Sequence, residues 1–396
     1  MTGEPRMAKA NWQCPSEWTE WSEWLAAGLH ARNRWRLPVL LTGILFAVGR
    51  RTVTSWLRAV GVSDDFQDYY YFLAPLGRKA GSVATQLFLL ALRTLPLPDR
   101  LLVVIDDSPT KRYGPKVEGA DIHHNPTPGP ADQKYLDGHI WVTLSLALRH
   151  PWWGALALPL RAMLYVRQKT IPTIPPKRGW RFQTKLELAA HLVEWIASLV
   201  KQAGKTLWVV VDGGYTKEPF LRPAIAAGAT IIGRLRKDAA LRDLPPPLRP
   251  GQRRGRGRPR TYGKNRISLA KRAAHKRGWQ TIECTVYGKT TTKTTKTFLA
   301  TYQPAGGVIR VVRRCPTINY RNEVLFSDGF RSSSRLGTDC VGCVAHRTPH
   351  RLPFGLSHTR AHPAMHELPD LVRSVSIQSD SRRSRAFPAV CLANCE

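Results

Sequence analysis

Two apolar runs that each discharge into aspartate constrain the fold of this chain more than any other feature. Leu101 to Ile105 leads into Asp106, Asp107 and Ser108, and Leu207 to Val211 repeats the device before Asp212. A short run with no polar interruption reads as a strand buried on both faces, which needs sheet neighbours and layers above and below it. The first strand is expected to end at Ile105. Between the two runs, HIWVTLSLAL (His139 to Leu148) and WGALALPLRAMLYV (Trp153 to Val166) read as neighbouring antiparallel strands. KLELAAHLVEWIASLVKQAG then places Leu186, Ala189, Val193, Ile196 and Val200 on one helical stripe, with Gly204 to end it. A helix from Glu218 to Ala227 and a strand TIIGRL follow. The order strand, strand, strand, helix, strand, helix, strand makes an α/β fold with a mixed sheet and flanking helices.

Parallel buried strands deliver the side chains at their carboxyl ends into a shared crevice. Asp106 or Asp107 is therefore expected beside Asp212. A single aspartate after a strand commonly caps a helix or opens a turn. Two brought together repel unless a cation lies between them, and oxygen-only ligands suit Mg²⁺ or Mn²⁺. Within the pair the choice stays open: Asp106 is the first residue past its run, as Asp212 is, whereas Asp107 directly precedes the hydroxyl of Ser108.

Charge names the partner class. Lys and Arg number 60 against 28 Asp and Glu, a formal charge of +32, and such an excess calls for a polyanion, by default nucleic acid. A membrane role is disfavoured because the longest apolar run, Leu37 to Gly49, is too short to span a bilayer and contains Pro38 and Gly43. The first fifteen residues lack the basic start and apolar centre of an export signal. An intracellular, cytoplasmic protein is expected, with Cys14 and Cys284 as free thiols.

The chain divides by composition into four parts. Residues 1–98 read as a helical region, in which Gly49 to Ser63 carries Val53, Trp56, Leu57 and Val60 on one side and Arg50, Arg51 and Arg58 elsewhere. That pattern fits a helix laid on DNA and fits equally an amphipathic helix packed on its neighbours. Residues 99–245 hold the strand-and-helix core. Residues 246–312 form a basic, partly β insertion, whose Arg253, Arg254, Arg256, Arg258, Arg260, Lys264 and Arg266 are expected to contact DNA. RGRP at Arg256 to Pro259 matches the core of an AT-hook, a thin segment that sinks into a narrow minor groove. From about Arg313 to residue 396 the usage changes abruptly: neither Lys nor Trp occurs, and five of the seven cysteines crowd there. This tail reads as translated out of frame or disordered, and is not expected to complete the sheet. Its Cys340, Cys343, His346 and His350 include zinc-ligand types, but the central gap of two residues is too short for a finger.

The two aspartate motifs in this element order resemble those of bacterial insertion-sequence transposases, members of the DDE superfamily with an RNase H-like core. The resemblance runs from Trp18 to Val312 and rests on VVIDDSPTKRYG (Val103 to Gly114) and VVVDGGYTKEPF (Val209 to Phe220), the latter carrying Asp-x-x-Tyr. It implies an RNase H-like mixed sheet and metal-dependent nicking and strand transfer at transposon ends. It also implies Asp106, Asp107 and Asp212 as catalytic and metal-binding candidates, two Mg²⁺ or Mn²⁺ ions, DNA ends and target as partners, and self-association during transposition. The sequence departs from the family at the third acid, which belongs to a Tyr-x2-Arg-x3-Glu-x6-Lys signature absent here. Glu323, in NYRNEVLF, is the nearest formal candidate and lacks the spacing. Two further readings follow: a non-catalytic DNA-binding remnant that occupies transposon ends, and a metal-dependent nuclease acting on RNA–DNA hybrids.

Overall fold

The computed structural model describes residues 14–64, 66–112, 114, 116–125, 133–246, 257–286, 289–314 and 389–393. The chain splits into two compact units, Met1–Pro98 and Asp99–Glu396.

The first unit is helical: α1 (Ser16–Ala26), α2 (Ala31–Arg34), α3 (Arg36–Phe46), α4 (Val53–Ala59), α5 (Phe66–Arg78) and α6 (Ala80–Thr94). Ala26, Leu29, Leu37, Leu40, Leu57, Tyr69 and Phe72 form its core. Gly43 lets α3 lie directly on α4, because a Cβ there would come 2.3 Å from the Trp56 carbonyl oxygen. The helix expected over Gly49 to Ser63 is shorter than its apolar pattern: Thr52 caps it, its hydroxyl accepting from Ser55 N–H at 3.2 Å, and Gly61 turns away at φ +81°. Leu57 is fully buried, while Arg50, Arg51 and Arg58 are exposed.

The second unit contains the sheet. Its strands are β1 (Arg100–Lys111), β2 (Asp121–His124), β3 (Tyr135–His150), β4 (Gly154–Tyr165), β5 (Thr206–Val211), β6 (Thr230–Leu235), β7 (Leu241–Arg242), β8 (Arg266–Ile267), β9 (Trp279–Val286), β10 (Lys289–Tyr302), β11 (Gly307–Arg314) and β12 (Ala389–Ala393). Its helices are α7 (Lys185–Gln202), α8 (Glu218–Ala226) and α9 (Leu269–Ala274). The strands make one twelve-stranded sheet in the order β2-β3-β1-β5-β6-β12-β11-β10-β7-β8, with β4 on β3 and β9 on β10. β3 shows why its sequence is a strand: Ile140, Val142, Leu144 and Leu146 alternate into the core at 4% exposure or less. α7 lies against β3, β4 and β5, burying Leu188, Ala189, Leu192, Val193, Ile196 and Val200, and ends at Gly204 with φ +65°. The RNase H-like mixed sheet with flanking helices is thus present.

Two expectations are corrected. β1 does not end at Ile105 but runs to Lys111, since β3 stays paired with it from Val103↔Leu146 through Asp106↔Thr143 to Lys111↔Gly138. A polar stretch becomes strand there because its partner supplies the ladder. The tail, in turn, does add to the sheet: Ala389–Ala393 pairs in parallel with β6 on one side and with β11 on the other. A five-residue apolar segment suffices to bridge two strand edges, and the average composition of the tail conceals it.

Candidate active site

β1 and β5 are parallel and in register from Arg100↔Thr206 to Ile105↔Val211. The last pair of that ladder, Ile105↔Val211, immediately precedes Asp106 on β1 and Asp212 after β5, and neighbouring strands lie only about 4.8 Å apart. β5 stops at Val211 while β1 continues to Lys111. Asp106 and Asp107 are half-buried and Asp212 is exposed. Strand alternation separates the first two: Asp107 shares a face with Val103 and Ile105, and Asp106 takes the other.

Asp107 is held from two directions. Lys185 Nζ lies 2.5 Å from one of its carboxylate oxygens, and the Tyr215 hydroxyl donates to the other. Lys185 is the first residue of α7, and its place is set by a capping box. The Thr184 backbone N–H and hydroxyl donate to the Glu187 carboxylate at 2.7 and 2.8 Å, and the Glu187 N–H donates back to the Thr184 hydroxyl at 3.3 Å. The ammonium also lies 5.6 Å from the centre of the Tyr165 ring.

Tyr215, four residues into the DGGYT segment at 4% exposure, packs edge-on against Phe220 with ring centres 5.8 Å apart. Its phenol is pushed far above the ordinary tyrosine value, first by burial, then by the charge and hydrogen bond of Asp107, then by the charges of Asp106 and Asp212. One neutral phenol therefore responds to all three carboxylates, and it remains a donor. The segment around it is fixed. Asp212 accepts from the Gly214 N–H at 2.8 Å, and the Thr216 hydroxyl reaches the carbonyls of Gly213 and Arg234 at 3.0 Å each. Gly233 of β6 admits this segment, since a Cβ there would meet the Thr216 methyl at 2.4 Å.

The donor chemistry at Asp106 and Asp212 fits a hard divalent cation: carboxylate oxygens from adjacent strands, in a crevice with no thiolate or imidazole on either motif. Among the described residues no group of three or more His, Cys, Asp or Glu converges as a metal site. Glu323, and Cys340, Cys343, His346 and His350, lie outside the described residues. So do Arg253, Arg254 and Arg256 of the basic insertion. Its Arg258, Arg260, Lys264 and Arg266 are exposed, Arg266 donating to the Asp238 carbonyl at 3.3 Å. Among the described residues, neither Cys14 nor Cys284 is in a disulfide.

Sequence reasoning missed Lys185, which has no local motif and becomes visible only once α7 is laid on the sheet. It also missed the group that pins β2. Asp121 accepts from the Thr170 hydroxyl at 2.7 Å and pairs with Lys169 at 3.1 Å and Arg167 at 3.6 Å. Burial works to raise its pKa, but the Thr170 hydroxyl, Lys169, the Ile122 N–H and Arg167 together hold it below the ordinary value. Burial is the main force lowering the pKa of His123 beside it.

The family model described as DDE superfamily endonuclease matches residues 25–301. That match spans the helical unit from the end of α1 onward, both aspartate motifs, α7 and the strands through most of β10. No match to a curated protein is found for the chain.

Proposed function

The chain belongs to the DDE superfamily endonucleases, and we propose that within that family it is built as a DNA transposase, nicking transposon ends and transferring the freed strand, with Asp106 and Asp212 as its metal-binding pair. The observation that supports this reading is the β1–β5 register, whose last pair, Ile105↔Val211, immediately precedes Asp106 and Asp212. DNA is the substrate class and divalent ions are the general cofactor of the family. Mg²⁺ or Mn²⁺ bound there would activate an oxygen nucleophile and neutralise charge on the leaving oxygen of an in-line displacement at phosphorus. Asp106 would hold it from within β1 and Asp212 from just past the end of β5. Tyr215 and Lys185 would hold Asp107 between them, and the Lys185 ammonium would place a positive charge next to that carboxylate.

A two-ion site needs a third carboxylate, and the sequence lacks the spacing that supplies it. The chain as written is therefore proposed to bind transposon ends and leave them uncut, as a cytoplasmic, nucleoid-associated protein of a bacterial insertion sequence. The test is cleavage of end-containing duplexes in Mg²⁺ and in Mn²⁺. The chain as written should give no nick, and a chain whose residues from 313 onward are replaced by the sequence of the other reading frame should cut. Cleavage by the chain as written, abolished by Glu323→Ala, would overturn the account of the third acid. Failure of the unsubstituted chain to bind DNA at low salt would overturn the whole reading.

A further inference from the structure

α7 begins beside the carboxylates, and the segment leading into it builds a second feature. The 3₁₀ turn Pro176–Arg178 ends at Gly179, whose φ of +66° favours glycine, and residues 179–184 run on without regular structure to the Thr184 cap. This strap and the edge strand β4 enclose a cleft of about 710 Å³, within the roughly 300–1,000 Å³ range of small-ligand clefts. Met163, Leu164, Val166 and Leu188 contribute apolar surface to it. Trp180 and Phe182, large apolar rings that would ordinarily be covered, are each 39% exposed within it.

Its polar lining is one-sided in charge. Arg178 and Arg181 are exposed cations on the strap, Arg178 pairing with Glu118 at 3.1 Å across solvent-exposed side chains. Glu187 is the one acid among the lining residues, and its carboxylate is already engaged by the Thr184 backbone and hydroxyl at the start of α7. Gln183 and His191 share a hydrogen bond at 3.1 Å and keep further donor and acceptor capacity at the lip. Flat aromatic faces, guanidinium groups and an amide at the start of the helix that carries Lys185 match the chemistry of a base with its phosphate. A duplex keeps its bases stacked inward, so an aromatic cleft of this size has use only for a nucleotide that is out of the stack.

We infer that the strap 177–183 and β4 form a binding site for an unpaired nucleotide of a DNA strand, with Trp180 and Phe182 stacking on the base and Arg181 facing its phosphate. Phe182 stands three residues before Lys185, which pairs with Asp107, so a strand occupying this site would lie near that pair. The inference deepens the DNA-transposase reading and rests on it for the identity of the strand.

The experiment uses the full chain and two probes, an oligo-dT single strand carrying one 2-aminopurine and a duplex of the same length. The unsubstituted protein should quench the 2-aminopurine of the single strand through stacking. Trp180→Ala with Phe182→Ala should weaken single-strand binding about tenfold or more and remove the quench, while duplex affinity changes less than about twofold. Trp180→Phe should retain most of both. Should the double variant melt well below the parent, Trp180→Ala alone carries the test. Arg181→Gln should lower the salt slope of single-strand binding by about one phosphate contact. Unchanged single-strand affinity and quench in a folded Trp180→Ala, or an equal loss on the duplex, would overturn the inference. Neither result bears on metal-dependent cleavage, so the two proposals fail separately.

Discussion

At the scale of single residues, the proposed site would divide labour between two aspartates that the sequence leaves equivalent. Asp106 follows the last β1–β5 pair as Asp212 does, and Asp107 is held by Lys185 and Tyr215. Mn²⁺ binding, read by the loss of the free-ion paramagnetic resonance signal, should therefore fall by at least about tenfold in Asp106→Asn and in Asp212→Asn, the scale on which metal sites respond to lost support. Asp107→Asn should change it much less; the opposite ranking would exchange the roles of the pair. Tyr215 gives a second readout. Its folded pKa lies above the unfolded value of 10.0, so its contribution to stability is complete below pH 10 and is lost as pH rises towards the folded value. Tyr215→Phe should cost about 1 kcal/mol near neutral pH for the lost hydrogen bond. It should also remove part of the alkaline fall in melting temperature. An alkaline limb identical to the parent's would show that the phenol does not titrate with unfolding.

At the scale of elements, the start of α7 is the joint on which Lys185 depends. Thr184→Ala should destabilise the chain by about 1 kcal/mol, measured by denaturant unfolding, and should loosen Lys185 from Asp107. The Glu187 carboxyl is held below its ordinary 4.5, first by the Thr184 backbone N–H and then by its hydroxyl. Its stabilisation is thus present above pH 4.5 and is lost as pH falls through the depressed value. Glu187→Gln should flatten that acid limb, and a limb unchanged in this variant would deny the capping box its role. α7 itself is legible in sequence because its apolar stripe and terminal glycine are local signals. The capping box Thr184-x-x-Glu187 is equally local, yet the notice it needs comes only from where the helix lies. β1 beyond Ile105, β2 and the short pair β7 and β8 are not legible, since Asp-Asp-Ser-Pro-Thr-Lys has no strand pattern of its own and takes its conformation from β3. The proposed metal-binding positions Asp106 and Asp212 are legible as candidates because both follow buried runs. Lys185 is not, because its partner lies 78 residues away in sequence.

At the scale of the whole molecule, charge and sheet closure make different demands on the last residues. Most of the +32 formal charge lies before residue 313, since the tail holds no lysine and offsets its arginines with acids. DNA affinity should accordingly survive truncation after Arg314, with log K falling linearly against log salt at nearly the parent slope. Stability should not survive it unchanged. β12 sits between β6 and β11, pairing Ala389 to Ala393 with Ile231 to Leu235 and, over Val390 to Ala393, with Arg310 to Arg313. Removing it exposes the backbone donors and acceptors of both flanking strands, an open edge of the kind that invites pairing between chains. The truncated chain should melt lower than the full chain and should associate in a concentration-dependent way that light scattering detects. Removing only residues 389–396 should reproduce both effects, because the strand and not the remainder of the tail is responsible. Equal melting temperatures for the full chain and this shortest truncation would mean that β12 contributes nothing to the sheet, and the earlier expectation of a tail apart from the fold would stand.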